Sequence, residues 1–424
     1  MTDTATAPAG VNWAGTHRYE APVLHTPASV AEAQDIVARA PHIRALGSRH
    51  SFNDLADSEG ALIALGSISP DPIIDPVAST VTVGGAISYG QLAVFLESNG
   101  YALHNLGSLP HISVAGATAT GTHGSGDRNA NLSSAVVALD LIGADGALRR
   151  VAKGDDDFPG SVISLGALGI VTRVTLRIRP SYAIRQDVFV DLPWESTLGR
   201  LDEVMGSAYS VSLFTDWRPD AVHQVWVKTL IGEREPVPAD GFFGARSAGT
   251  KVMSPADEGH DNTTVQGGIP GPWLTRLPHF RLDATPSNGD EIQTEYFVDR
   301  SQAVAAIGAV RALRDLLAPH LLVSELRTIA PDSQWLSTTR DSASLAIHFT
   351  WKNHPDAVRE LLPTLEAALA PFDPRPHWGK WFAMEADVVA PKYPQLAAFR
   401  ELAGRVDPAG KFRNPYLERV LGLR

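Results

Sequence analysis

The chain contains no cysteine. That absence excludes disulfides, thiolate nucleophiles, zinc–thiolate sites and iron–sulfur clusters. Positive charge is scarce: 36 Lys and Arg stand against 47 Asp and Glu, a formal net charge of −11. Nucleic acid and anionic membrane surfaces both need a basic face, so neither is an expected partner. No apolar run is long enough to span a bilayer. The opening MTDTATAPAG has neither a basic n-region nor an apolar core. No signal peptide is read there, and a cytoplasmic location is expected. Familiar catalytic signatures are missing as well. There is no Rossmann G-x-G-x-x-G after a strand, no G-x-x-x-x-G-K-[ST], no G-x-S-x-G elbow and no H-E-x-x-H. Internal repeats and low-complexity tracts are also lacking.

What remains is an ordinary globular composition, with 424 residues, 44% hydrophobic and 20% charged. It predicts one large or two ordinary domains, able to bury a core and still leave a pocket. A helix capped by Ser29 is expected over 28–40, then a strand over 42–46. Another strand is expected over 79–84 and a helix over 89–98, ended by Gly100. Strands at 136–142 and 148–152 flank Ala144-Asp145-Gly146 as a hairpin, and 170–178 alternates as a long strand. A boundary falls near Pro180 to Tyr182. Strands of a second sheet are expected at 211–217, 222–229, 291–298, 321–329 and 344–350, with helices at 303–317 and 357–370. The Pro- and Gly-rich stretch 233–278 reads as a surface excursion. Short strands mixed with short helices give an α+β class.

Two segments carry chemistry. GSRHSFND (Gly47 to Asp54) places His50 in a small-residue turn directly after a strand. Gly107 to Gly126 holds Gly107, Gly116, Gly121, Gly124 and Gly126 among Ser, Thr, Ala and His, with almost no bulky side chain. Helical packing does not explain that composition, whereas a backbone lying close to a ligand does. Two glycine-rich turns in one domain suit a nest for a pyrophosphate. His104, His111 and His123 have spacings that fit no metal-ligating element, so no metal site is expected. Further along, Glu325 with Arg327, and His348 with Thr350, are each two apart and share a strand face. Ionisable groups on apolar strands are costly to bury unless they pair or meet a polar ligand. A structural ion pair and a polyol site explain them equally well on these grounds.

Several motifs, in order, resemble one flavoprotein lineage. GSRHS at 47–51 resembles the histidyl-flavin turn of the vanillyl-alcohol-oxidase superfamily. NLGSLPHISVAGATATGTHGSG at 105–126 resembles the flavin-cradling segment of its aldonolactone-oxidase and alditol-oxidase branch. LGALGIVTRVTLRI at 165–178, RPHWGK at 375–380 and DPAGKFRNPY at 407–416 resemble further signatures of that branch. SVSLFTDW (210–217), GIPGPW (268–273), ELRT (325–328) and HFTW (348–351) are similar to the alditol (xylitol) oxidases within it. The likeness runs from Asn12 to Asn414.

The resemblance implies a two-domain fold of the PCMH type: an FAD-binding domain over 1–182, a substrate domain over 183–384, and a C-terminal segment, 385–424, returning to the first. It implies FAD bound covalently through His50. Ala45, Leu46, Gly47, Ser48, Arg49, Ser51, Gly107, Ser108, Ser113, Gly116, Thr120, Gly121, Thr122, His123 and Ile170 align with cofactor contacts. Ser108, Gln293, Glu325, Arg327, His348, Thr350 and Lys380 align with the substrate site, with Arg327, Lys380, Glu325 and His348 as its catalytic set. The implied reaction is oxidation of an alditol's terminal hydroxyl by O2, with a monomer as the expected state. An aldonolactone oxidase or dehydrogenase is the alternative, and a binding protein without catalysis a third reading. Gly107 stands where the alditol oxidases lead one to expect alanine, and it widens the implied oxygen path. Arg49 stands where a small residue is usual.

Overall fold

The computed structural model describes residues 9–68, 70–232, 241–256, 262–284 and 290–423. The first helix, Val30–Arg39, begins where Ser29 accepts a hydrogen bond from the Glu32 amide and buries Ala33 and Val37. It packs against a parallel three-stranded sheet, with Ala61–Ile63 between Val23–His25 and Ile43–Ala45. A five-stranded antiparallel sheet follows. Its order is Ile73–Asp75, Thr80–Gly84, Ile170–Arg177, Val136–Ile142, Leu148–Ala152. The helix Tyr89–Ser98, with a complete Ser88–Gln91 capping box, covers it, and Gly100 (φ 78°) takes the left-handed turn beyond its end.

The glycine-rich block departs from expectation in one respect. It contains a short helix, Val114–Ala119. Close approach still accounts for its glycines. A Cβ on Gly124 would stand 2.4 Å from the Leu106 carbonyl oxygen, and one on Gly126 would meet that of Tyr209.

Residues 183–376 form a nine-stranded sheet. Its strands include the predicted Ser210–Thr215, Ala221–Leu230, Glu291–Asp299, Leu321–Ile329 and Ser344–Lys352, and also Ala183–Pro193, which was not anticipated. The expected helix at 303–317 is broken into Ala303–Ala312 and Arg314–Leu317, and Pro355–Leu369 lies beside the first. Strand alternation divides the sheet's residues between its faces. Leu213, Leu326, Ile347 and Tyr296 join the helices in the main core, while Glu325, Arg327, His348 and Glu295 point the other way, onto a cavity.

The stretch 233–278 is more tightly built than a surface excursion. Residues 233–240 and 257–261 lie outside the described residues. Of the rest, Arg246–Ser247 and Gly271–Pro272 pair with Ala183–Pro193, and Trp273 is fully buried. An outer strand leaves backbone groups unpaired, and this segment satisfies them.

The chain's end returns to the first sheet. The Ile43 amide donates to Lys411 O at 2.9 Å, and Arg44 donates to Phe412 O at 2.6 Å. Asn414 caps the final helix, Pro415–Leu421, and its amide donates to the carbonyls of Asp54, Leu55 and Asp57 at 3.2, 3.1 and 2.9 Å. Asn414→Ala removes a helix cap and strands buried carbonyls, so urea unfolding should show a loss of about 2–3 kcal/mol.

Candidate active site

One cavity of about 730 Å³ runs between the two halves of the molecule. Of the residues singled out in the sequence, Ala45, Leu46, Gly47, Ser48, Arg49, His50, Ser51, Gly107, Ser108, Ser113, Gly116, Thr120, Thr122, His123, Gln293, Glu325, Arg327, His348, Thr350 and Lys380 all line it. Gly121 and Ile170 do not. Gly121 makes a left-handed turn (φ 68°) just beyond the helix Val114–Ala119, backed by Ile163. Ile170 packs with Ala33, Val37 and Ile43, and its neighbours Gly169 and Val171 face the cavity instead. The offset is one residue on a strand, which reverses the face.

The two glycine turns meet at a pair of serines: Ser48 Oγ accepts from the Ser113 amide at 3.0 Å. A Cβ on Gly47 or on Gly116 would each stand 2.8 Å from Ser113 Oγ. His50 stacks on Trp13 at 5.3 Å between centroids. Among the described residues neither of its ring nitrogens has a hydrogen-bond partner, and both are buried. Burial pushes its pKa down to about 4, so the imidazole is neutral with a free lone pair. Arg49 lines the cavity, and its guanidinium is engaged by neighbours. Its backbone is left-handed (φ 63°), its guanidinium donates to Ala9 O, and it lies 5.8 Å over the Tyr19 ring.

On the facing sheet, pairing register aligns Glu295 with His348, His348 with Glu325, and Glu325 with Phe214 in one row. Glu295 is the hub. Its Oε1 accepts from Arg327 at 2.7 Å and lies 3.3 Å from His123 Nε2, and its Oε2 lies 2.5 Å from Lys380 Nζ. Burial works to raise this carboxyl, but Lys380 and Arg327 outweigh it and hold it well below the usual range. Lys380 also donates to His348 Nδ1 at 2.7 Å, while His348 Nε2 lies 3.0 Å from Thr350 Oγ1. Burial and then the Lys380 cation lower His348 to about 4. Arg327 reaches Ser108 Oγ at 3.4 Å and Glu325 Oε2 at 3.5 Å, and its buried Nε makes no hydrogen bond. Glu325, itself held low by Arg327 and His279 against its burial, accepts from His279 Nε2 at 2.8 Å.

Sequence reasoning missed Glu295, His279 and His377. Glu295 stands two residues after Gln293, so the spacing rule that marked Glu325 and Arg327 also marks it. His279 sits in the irregular stretch, where no periodicity flags it. His104 and His111 do not join His123. Among the described residues the one set of three ligand-capable groups is His123, Glu295 and His377, within 4.8 Å. Arg327 and Lys380 already neutralise that carboxylate, which makes it a poor seat for a divalent cation.

Comparison with known proteins agrees with this architecture. The family described as "FAD binding domain" matches residues 21–152, and that described as "D-arabinono-1,4-lactone oxidase" matches 287–420. The chain is 44% identical to an alditol oxidase of a Streptomyces species over 97% of its own length and 98% of that protein's. The chain belongs to the alditol oxidase family. The chain is an oxidoreductase of this flavoenzyme family and carries an FAD-binding domain. A more distant relative is the L-gulono-1,4-lactone dehydrogenase of Mycobacterium tuberculosis, at 30% identity over 98% of this chain and 100% of that one. The fold matches the crystal structure of cholesterol oxidase from B. sterolicum, with a TM-score of 0.79 at 15% identity over 99% of this chain and 98% of that one. The FAD-binding, α+β architecture of the vanillyl-alcohol-oxidase family is therefore the fold of this chain. The described residues include no helix long and apolar enough to cross a membrane.

Glu295 anchors two buried cations, so Glu295→Gln should cost about 3–5 kcal/mol of unfolding free energy near neutral pH. Its folded pKa lies below the unfolded value of 4.5, so this stabilisation is full above that value and fades as pH falls through the folded pKa. Denaturant titrations should show wild type and variant converging only in strong acid.

Proposed function

We propose that this enzyme oxidises the terminal primary hydroxyl of an acyclic alditol, of the xylitol and sorbitol type, to the aldose. Dioxygen is reduced to hydrogen peroxide: RCH2OH + O2 → RCHO + H2O2. The observation that carries the reading is the cavity itself. It joins an unpartnered, neutral His50 on one wall to a buried set of donors and acceptors on the other. The 44% identity with an alditol oxidase supports it.

The residues fit FAD. His50 offers a lone pair for a covalent bond to the flavin, while Gly47 and Gly116 let the two turns close tightly on Ser113, and both turns line the cavity where a flat ring and its phosphates would lie. FAD, when bound, supplies the two-electron acceptor for the hydride leaving the carbinol carbon, at flavin N5. In this assignment the first 182 residues hold it, 183–384 cover it, and 385–424 return to brace it.

Arg327 and Lys380 hold the reacting hydroxyl and stabilise the alkoxide character that develops as the hydride leaves. Glu325 accepts from a neighbouring hydroxyl, and Gln293, Thr350 and Ser108 complete a surface that both donates and accepts, as a polyol requires. His348 serves as a binding group. Its Nδ1 accepts a hydrogen bond from Lys380, so acting as base would first require that bond to break. Gly107 leaves room beside the cavity. A Cβ there would stand 3.6 Å from His123 O, in ordinary contact, so alanine fits and glycine simply widens the passage for dioxygen.

Acid precipitation of wild-type protein should carry the yellow colour into the pellet, whereas His50→Ala should release or lack it. An unchanged covalent adduct in the variant would refute the linkage. The match of residues 287–420 to the arabinonolactone oxidase family keeps a lactone substrate as the rival. Steady-state rates should favour xylitol and sorbitol over gulono- and galactonolactone, with near-stoichiometric peroxide. A clear preference for lactones overturns the assignment.

A further inference from the structure

A buried lysine stands behind the site with no part in the chemistry so far described. Lys228, on the strand Ala221–Leu230, is 1% exposed and does not line the cavity. Among the described residues its ammonium meets no carboxylate. It donates to the carbonyls of Leu277 and Pro278 and, at 3.1 Å, to His279 Nδ1. Burial pushes the Lys228 ammonium down to about 7, so ammonium and amine are both present near neutral pH, and both forms have hydrogens to donate. Glu325 is held ionised and can only accept, so the neutral His279 ring donates to it and presents the lone pair of Nδ1 to Lys228. The proton of the neutral ring therefore sits on Nε2, which stands 2.8 Å from Glu325 Oε1. The ring is not free to turn over. It meets Phe214 and Trp226 edge to face at 5.3 and 5.2 Å, and its own backbone amide donates to Ser108 O at 3.2 Å. Among the described residues Glu325 Oε2 accepts no hydrogen bond, and Arg327 Nε stands 3.5 Å from it. His279 and Glu325 both line the cavity.

We propose that Lys228 is a positioning residue for substrate recognition. Through His279 it fixes the tautomer that donates to Glu325, and so keeps Glu325 an ionised acceptor for a substrate hydroxyl. Arg327 and Lys380 act on the same carboxylate and favour the same state. The consequence is selective. A hydroxyl donates to Glu325, whereas a ring oxygen or carbonyl at that position sets lone pair against lone pair. The relay thus rejects a lactone where it accepts an open-chain polyol. This deepens the alditol reading and rests on it.

The test uses the FAD-loaded enzyme and two readouts. Histidine nitrogen NMR, with His279 assigned by its loss in His279→Asn, reports the tautomer without any turnover. The wild-type ring should be protonated at Nε2. In Lys228→Met an Nδ1-protonated population should appear, with KM for xylitol raised about tenfold and kcat changed less than about twofold. Lys228→Gln keeps an N–H donor and should recover most of both. Protonation at Nδ1 in the wild type overturns the proposal even if Lys228→Met does not fold. So does a folded Lys228→Met with unchanged tautomer and KM, or with kcat and KM moved together. If the wild type prefers lactones, the alditol reading fails, while the tautomer still decides whether the relay exists.

Discussion

A carboxylate without solvent exposure, Glu295, is shared by two cations, and the rest of the site is arranged around that sharing. Arg327 and Lys380 come from different parts of the chain, yet both lie within 2.7 Å of it. Either cation alone in this setting would shed charge or draw in water. Together with Glu325 they form a nearly neutral buried group of two cations and two carboxylates. The imidazoles of His279 and His348 stay uncharged among them, both lowered to about 4 chiefly by burial. The result is a dry surface of fixed donors and acceptors, the kind of preorganised field that costs no rearrangement when charge develops on a reacting oxygen.

The sheet makes this possible. Its helix-covered face carries an apolar row from Leu213 through Leu326 and Ile347 to Tyr296, and its hydroxyls Ser324 and Thr294 accept hydrogen bonds from Trp217 and Trp351. That burial carries the folding free energy and leaves the opposite face free to accept costly polar groups. Register then does the positioning. Glu295, His348 and Glu325 fall in one row across three antiparallel strands, so a one-residue slip of any of them would turn its charge into the core. Across the cavity, close backbone approach replaces side-chain chemistry, with two glycine turns tied at Ser48 and Ser113 and one unpartnered imidazole between them.

Much of this was legible in the sequence where periodicity is strong. Leu321–Ile329 stands where its alternation placed it, and Val30–Arg39 starts at the expected Ser29 cap. The pairs Glu325–Arg327 and His348–Thr350 do face the cavity together. Legibility failed where long-range contacts decide. Ala183–Pro193 alternates only loosely and is held by its pairing with Ala221–Leu230, which no local window reveals. The stretch around Trp273 looked irregular because its order comes from backbone bonds to that same strand. His279 was invisible for the same reason, since its meaning lies in Lys228 and Glu325, 51 and 46 residues away. Ile170 packs into the core while its neighbours Gly169 and Val171 line the cavity, a one-residue offset that a two-residue period turns into the opposite face.

The central claim is that this buried cluster reads a polyol hydroxyl directly beside a flavin attached at His50. An anaerobic titration of the purified yellow protein with xylitol, followed through its visible absorbance, tests it most directly. The account predicts that the oxidised flavin bands bleach within the time of mixing and return when air is admitted. Bands that persist with xylitol and sorbitol alike, in protein that a lactone bleaches or that nothing bleaches, would contradict it.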